Sequence, residues 1–342
     1  MVARQEEIEV RRCIAFTQLD DCLLSSQKNH SSRVPSEVTS MPKEVEIVSI
    51  GNELLIGKTL NTNAQWLARR ATSLGLPVRR VTVVSDDVEE IAKIIQEAVR
   101  RNPAFIITTG GLGPTFDDKA LGGIAQALRS KLTINEEALR MVEEKYVTYA
   151  EERGQAKIEL TPPRIKMAKL PAEAKPLPNP VGTAPGVAVK EDDVTIFALP
   201  GVPSEMKSIF ENSLLPVLKA AAGGQTFFET SLYVTGIMES EMAPTIDKVM
   251  HDNPHTYIKS HPIGAEKKPS LELHLSTTTE NIEVAKKRVG KTLIQLEELI
   301  REKGGKTQAA RAPPRKKDSS SSLNKNCSAS PRLMFSSDEG AC

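Results

Sequence analysis

The chain has 342 residues, 39% of them apolar, with 45 basic side chains against 44 acidic and a net charge of +1. That length gives one large domain or two modest ones, and the low apolar share places part of the chain outside any core. The charge balance excludes a global field that would gather nucleic acid or an anionic membrane. Residues 44–304 carry 35 acidic side chains against 32 basic, so the positive excess belongs to the C-terminal tail and the body is mildly acidic.

Residues 1–43 show no sustained periodicity and read as a disordered extension, with Met41 as the expected true start. All four cysteines (Cys13, Cys22, Cys327, Cys342) fall in the two tails, which fits a reducing compartment. The N-terminus has no signal-peptide core, and no apolar run approaches the ~18 residues of a membrane span. These features together predict a cytoplasmic location.

From residue 44 strands alternate with helices. A strand at Val45–Ile50 precedes a helix over about Thr62–Leu74, stopped by Gly75. A second strand, Val78–Val84, leads to Asp86 and Asp87, N-cap candidates for a helix with Ile91, Ile94, Ile95 and Val99 on one face. The run Ala104 to Thr108 has the apolar continuity of a buried parallel strand, followed by a glycine-rich turn and a helix of about Asp118–Leu128. A polar helix spans about Glu136–Glu152. A hairpin follows, Gly186–Val189 and Val194–Leu199 about Asp192-Asp193, and then a helix from Ser204 to about Leu218. This order predicts a three-layer α/β/α fold with a mostly parallel sheet over residues 44–223. Beyond Gly223-Gly224, strands and helices at Thr230–Thr235, Glu239–Met250, Thr256–Ser260, Ser270–Ser276 and Asn281–Lys303 predict a small α+β unit over 224–304. Residues 305–342, with Pro313-Pro314, Arg315-Lys316-Lys317 and a serine run, read as a disordered tail.

The segment Thr109-Gly110-Gly111-Leu112-Gly113-Pro114-Thr115-Phe116-Asp117-Asp118 carries the densest chemical signal. Glycines here let backbone amides face one concavity at the end of a central strand, and the next helix N-terminus adds partial positive charge. A phosphate-bearing ligand is the expectation. Asp117 and Asp118 would repel phosphate unless a cation intervenes, although one of them can simply cap the following helix. With Glu53 and Asp86 they are expected to converge at one sheet edge around a divalent cation (Mg²⁺, Mn²⁺ or Co²⁺). Gly51 to Gly57 and Asn63 follow the first strand, a polar cluster able to read a base or ribose. Two further rigid loops are candidate pocket walls: Asn179, Gly182, Thr183, Ala184 and Gly186 in one, and Pro200, Gly201, Pro203 and Glu205 in the other. Each of these, taken alone, reads equally as a structural turn. His251 and His255 are four apart, but Pro254 breaks the helix that would align them, and no nucleophilic triad order stands out.

In their order along the chain, Ser49 to Gly57, Asn61-Thr62-Asn63, Asp86-Asp87, the glycine loop, Asn179–Gly186 and Leu199–Met206 resemble the CinA-type (competence/damage-inducible) branch of the molybdopterin-binding fold, over about residues 44–304. The Gly110–Asp118 loop is also similar to that of the molybdenum-cofactor proteins MogA and MoaB. There, Asp86 and Asp118 match acidic positions associated with adenylyl transfer, and Pro200 to Pro203 matches a Pro-Gly-Ser-Pro wall. Leu112 and Asp117 replace the Thr and Arg usual in that branch, which argues against molybdopterin adenylylation. The CinA-type branch, and the similar domain of FAD synthases, imply metal-dependent hydrolysis of a dinucleotide pyrophosphate such as ADP-ribose or FAD. On this resemblance Asp86, Asp117 and Asp118 are the catalytic candidates and Glu53 a fourth metal ligand. The sequence has no counterpart of the amidohydrolase domain of full-length CinA proteins. Residues 224–304 resemble their KH-like domain but lack the Gly-x-x-Gly loop that clamps RNA. A small nucleotide or pterin is therefore the expected partner, with neither nucleic acid nor membrane, and relatives of the fold imply a homo-oligomer. Molybdopterin binding with adenylyl transfer, or nucleotide binding without turnover, are the alternatives.

Overall fold

A computed structural model describes residues 43–154, 159–263 and 269–309. The N-terminal extension, all but the first residues of the C-terminal tail, and the four cysteines lie outside the described residues.

The chain opens with β1 (Val45–Ile50), the short helix α1 (Asn52–Leu55), α2 (Thr62–Ser73), β2 (Val78–Val84), α3 (Val88–Arg100) and β3 (Phe105–Thr109). It continues through α4 (Ala120–Ala127), β4 (Leu132–Ile134), α5 (Glu136–Glu152), α6 (Pro162–Lys166), β5 (Lys169–Pro171), β6 (Lys175–Leu177), β7 (Gly186–Glu191) and β8 (Val194–Leu199). Six strands form one sheet in the order β2-β1-β3-β8-β7-β6. Strands β2, β1, β3 and β8 run parallel, and the hairpin partners β7 and β6 add antiparallel strands at one side.

Period-two alternation divides the central strands between two cores. Val45, Ile47, Phe105, Ile107, Phe197 and Leu199 pack with Leu67 and Ala71 of α2 and with Met206 and Ile209 on one face. Val48, Ile50, Ile106 and Ile196 pack with Ile91 and Ile95 of α3, Ile124 of α4 and Val142 of α5 on the other. All six β1 residues are buried, including Glu46 at 4% exposure. Arg101 reaches that carboxylate with both nitrogens of its fork, each bond 2.7 Å long, so the charge is paired rather than stranded.

The helix read from Ser204 to Leu218 is three pieces: α7 (Pro203–Ile209), a π-helical turn (Phe210–Leu214) and α8 (Leu215–Ala221). Pro216 has no N–H to give back to the preceding turn and its ring crowds the carbonyl four residues earlier; the wider turn relieves both. Between residues 129 and 178 the sequence signals only α5. The structure adds β4 and β5, paired with each other, together with α6 and β6. These pieces are three to five residues long, and Pro176 in β6 is tolerated because β6 is an edge strand.

Past Gly223-Gly224 lie β9 (Thr226–Thr235), α9 (Glu239–Asp252), β10 (Tyr257–Pro262), β11 (Ser270–Thr279), α10 (Ile282–Glu302) and β12 (Lys306–Ala309). They build an antiparallel sheet ordered β10-β11-β9-β12. One of its faces packs on α9 and α10 through Leu232, Val234, Leu273, Met242, Val249 and Leu296. The expected disordered tail from 305 is corrected here: Lys306–Ala309 pairs with Leu232–Thr235 as an edge strand. Its composition carries no strand signal, and the pairing comes from the open edge of β9 after α10 returns the chain to it. No helix among the described residues is long and apolar enough to cross a membrane.

Replacing Arg101 with Ala leaves the buried Glu46 carboxylate unpaired. The expected cost is about 2–3 kcal/mol, since Arg101 itself is partly solvated. Urea unfolding of the Arg101→Ala variant against wild type measures it.

Candidate functional site

The carboxyl ends of β1, β3 and β8 meet where the glycine loop leaves β3. Gly110 has φ +107°, and a Cβ on it would lie 2.1 Å from the Ile50 carbonyl oxygen, so only glycine lets the loop cross β1 there. Its N–H bonds the Leu199 carbonyl at 3.0 Å, closing the third side. The Gly110 amide is therefore spent on the fold and unavailable to a ligand, contrary to the sequence reading. Past it, the N–H groups of Gly111, Leu112 and Gly113 have no hydrogen-bond partner among the described residues, while Gly111 O receives the Ala120 amide. Consecutive unpaired donors after a strand end are the kind of arrangement that can bind an anion.

The same cavity, about 360 Å³, contains most of the expected site. Its walls include Gly51, Gly110, Gly111, Gly113, Pro114, Thr183, Ala184, Pro200, Gly201 and Glu205. Glu53, Asp86, Asp117 and Asp118 also line it. Its volume falls within the range of small-ligand pockets, roughly 300–1,000 Å³. Ile50, Leu112, Met167 and Val202 complete the walls; none was a binding candidate in the sequence, because apolar residues in or beside a motif give no chemical signal. A second cavity, about 320 Å³, lies against β11 at Phe227, Met250, His255 and Tyr257, with no acidic, lysine or arginine side chain in its walls.

Several expected ligand contacts prove to be supports outside the cavity wall. Thr109 donates to Pro200 O at 2.9 Å, and Asn63 donates to Thr109 Oγ1 at 3.0 Å and to Gly201 O at 2.7 Å. This chain of bonds ties α2, β3 and the loop after β8 together. Asn63 Oδ1 is buried without a partner. Asn179, 6% exposed, uses its whole amide internally: it donates to Ala184 O and Glu205 Oε2 and accepts from the Val181 and Gly182 amides. Gly182 leaves room for Glu205, whose carboxyl carbon would lie 2.1 Å from a Cβ there. Gly186 begins β7 inside the core, and Pro203 starts α7. Neither reaches the ligand space.

The acidic residues share the cavity without closing on one point. Among the described residues no group of three or more His, Cys, Asp or Glu side chains stands close enough to hold a metal ion, which corrects the expected four-acid convergence. Asp86 Oδ2 instead accepts the Asn52 amide at 2.8 Å, and its neighbour Asp87 caps α3 through the Glu89 and Glu90 amides. Neither Asp117 nor Asp118 caps α4, whose N-cap is Lys119 with no side-chain bond. Asp118 Oδ2 accepts both the Thr115 N–H, at 2.8 Å, and the Thr115 hydroxyl, folding the loop onto itself. Asp117 is held below the ordinary carboxylate pKa by the nearby Thr115 hydroxyl first and then by its own backbone amide; burial opposes this, and the charges of Lys166 and Lys119 add to the lowering. It stays ionised through neutral and mildly acidic pH.

The donors are all hard oxygens, which suits Mg²⁺, Mn²⁺ or Co²⁺ only in a shared mode. Such an ion is held by one or two carboxylates together with the ligand's phosphate oxygens, rather than by a closed protein cage.

A family model described as "Probable molybdopterin binding domain" matches residues 46–220. A Pyrobaculum arsenaticum protein is 46% identical over 260 residues, covering 76% of this chain and 95% of that one. A Sulfurisphaera tokodaii protein is 44% identical over 261 residues, covering 76% and 96%. The chain belongs to the molybdopterin-binding domain family. Among solved structures it is similar to CinA from Thermoplasma acidophilum, described as of unknown function, with 40% identity, a TM-score of 0.47, and 52% of this chain and 98% of that one covered. The matched span of this molybdopterin-binding domain runs from β1 to α8. It contains the glycine loop and every wall of the 360 Å³ cavity.

A Gly110→Ala substitution forces a Cβ into the Ile50 carbonyl at a left-handed φ. The expected loss exceeds about 2 kcal/mol, together with loss of anion binding in the cavity. Thermal melting with and without pyrophosphate reads both.

Proposed function

We propose that this molybdopterin-binding domain holds a dinucleotide by its diphosphate and hydrolyses the P–O–P bond with a divalent cation. The observation that carries the reading is the row of unpaired Gly111, Leu112 and Gly113 amides facing a cavity rimmed by carboxylates. Amides in such a row bind phosphate oxygens, and the acids lining the same cavity would repel that phosphate unless a cation lay between them.

In this reading the three amides bind the bridging diphosphate and orient it, with the N-terminus of α4 adding partial positive charge. Asp86 and Asp117 would hold the cation, with the remaining coordination left to the ligand. When bound, the cation neutralises charge on the diphosphate and stabilises the departing phosphate. A carboxylate held below its ordinary pKa is a weak general base near neutral pH, so Asp117 contributes fixed charge rather than proton transfer. Glu53, without a hydrogen-bond partner among the described residues, takes the proton from the attacking water. Oxygen then bonds to phosphorus, the bridging P–O bond breaks, and two phosphate monoesters leave. ADP-ribose- or FAD-like dinucleotides are the expected substrates.

A second reading is nucleotide or pterin binding without turnover. It is favoured by the engagement of Asp86 and Asp118 in backbone hydrogen bonds and by the lack of a three-acid cluster among the described residues.

The test is a hydrolysis screen of ADP-ribose, FAD, NAD and diadenosine substrates with Mg²⁺, Mn²⁺ and Co²⁺. Asp86→Asn and Glu53→Gln are each expected to lower kcat by about 100-fold or more while melting like wild type. Wild-type turnover in both variants sinks the mechanism. Ligand-induced thermal shifts with no product in any metal select the second reading, and product from molybdopterin and ATP selects adenylyl transfer.

A further inference from the structure

We propose that Lys166 is the positioning residue of the phosphate loop, gripping it from behind so that its amide face stays open to an anion. The inference rests on the phosphate-site reading above and names a residue that no motif marks.

The Lys166 ammonium donates to three backbone carbonyls of one loop: Gly113 O at 3.4 Å, Asp118 O at 2.7 Å, and Thr115 O. An ammonium has three donors, and all three are spent on the loop. The Thr115 carbonyl also accepts the Asp118 amide at 3.2 Å, so Lys166 reinforces a turn of the loop there and draws in the Gly113 carbonyl beside it, a group that would oppose a phosphate if it turned toward the cavity. Held on Lys166, these carbonyls keep that side of the loop occupied, while the Gly111 to Gly113 amides remain unpaired at the cavity wall. The ammonium also supplies positive charge beside Asp117 and Asp118, two carboxylates that would weaken an anion site on their own.

The mount is rigid. Lys166 is the last residue of α6, and the next residue, Met167, is buried at 2% exposure in the cavity wall. Two residues earlier, the Arg164 guanidinium lies 4.2 Å from the centre of the Tyr146 ring on α5. Immediately beyond, β5 pairs with β4. A half-buried lysine on so short and well-anchored a helix has little freedom to do anything but hold the loop.

The experiment compares full-length wild type with Lys166→Met, which keeps the length and removes the donors and charge, and Lys166→Arg, which restores both. Inorganic pyrophosphate binding is measured by calorimetry, and amide hydrogen exchange is followed over residues 110–119 and, as an internal reference, over β3 and β11. Lys166→Met is expected to weaken pyrophosphate binding about tenfold or more and to speed loop exchange by a similar factor, with exchange in β3 and β11 unchanged. Lys166→Arg is expected to restore most of both. Pyrophosphate affinity and loop exchange at wild-type levels in Lys166→Met overturn the proposal, as does acceleration of β3 and β11 equal to that of the loop. If Lys166→Met does not fold, Lys166→Leu, which also removes the donors and the charge, replaces it under the same two criteria. Failure of wild type itself to bind pyrophosphate counts against the phosphate-site reading, and the exchange comparison then still decides whether Lys166 holds the loop.

Discussion

The site depends on one close crossing of backbone. Where β3 ends, Gly110 passes the Ile50 carbonyl so tightly that no side chain fits, and its amide closes onto Leu199. Three strand ends are thereby brought together at one point, and the next three amides of the loop find no partner among the described residues. A parallel sheet places its carboxyl ends on one edge for every strand, so this is where a ligand site is favoured. The crossing converts that general tendency into a specific cavity.

Around the crossing, polar side chains act mainly on backbone. Asn63 and Thr109 bridge to Pro200 and Gly201, Asn179 closes its own loop and anchors Glu205, and Asp118 folds Thr115 back. Such internal bonds satisfy groups that would otherwise be costly to bury, and they fix loop shape without touching a ligand. Among the described residues the groups near the crossing left without a partner include the Gly111 to Gly113 amides, the Glu53 carboxylate, and the buried Asn63 Oδ1 and Thr108 Oγ1. In the proposed function, recognition of phosphate would fall chiefly to backbone donors, with side chains setting the shape of the loop. The same division explains why the carboxylates share a cavity without forming a metal cage. Asp86 and Asp118 are partly committed to holding α1 and the loop, so a cation there needs phosphate oxygens to complete its shell.

Local pattern made most of the architecture legible. The buried runs Val45–Ile50 and Phe105–Thr109 leave no polar face for solvent, which only a sheet covered on both sides accommodates, and the helices between them show a single apolar face. Glycine density and strand-to-helix placement marked the ligand loop for the same reason: a positive φ and a backbone contact both demand the absence of a Cβ. The strands β4, β5 and β12 were illegible because each is three or four residues long and exists through its partner rather than through its own periodicity.

The sequence by itself determined the layered α/β fold, the succession of its main strands and helices and the position of the glycine loop, because hydrophobic period and glycine placement are local properties. Only the tertiary structure decided which donors and acids remain available. It spent the Gly110 amide on β8, turned Asp86 and Asp118 onto backbone, withdrew Asn179 and Gly186 from the cavity, and brought Lys166 beneath a loop about fifty residues away. Hydrogen-bond capacity is finite, and which partner consumes it depends on contacts between segments remote in the chain, where local pattern carries no information.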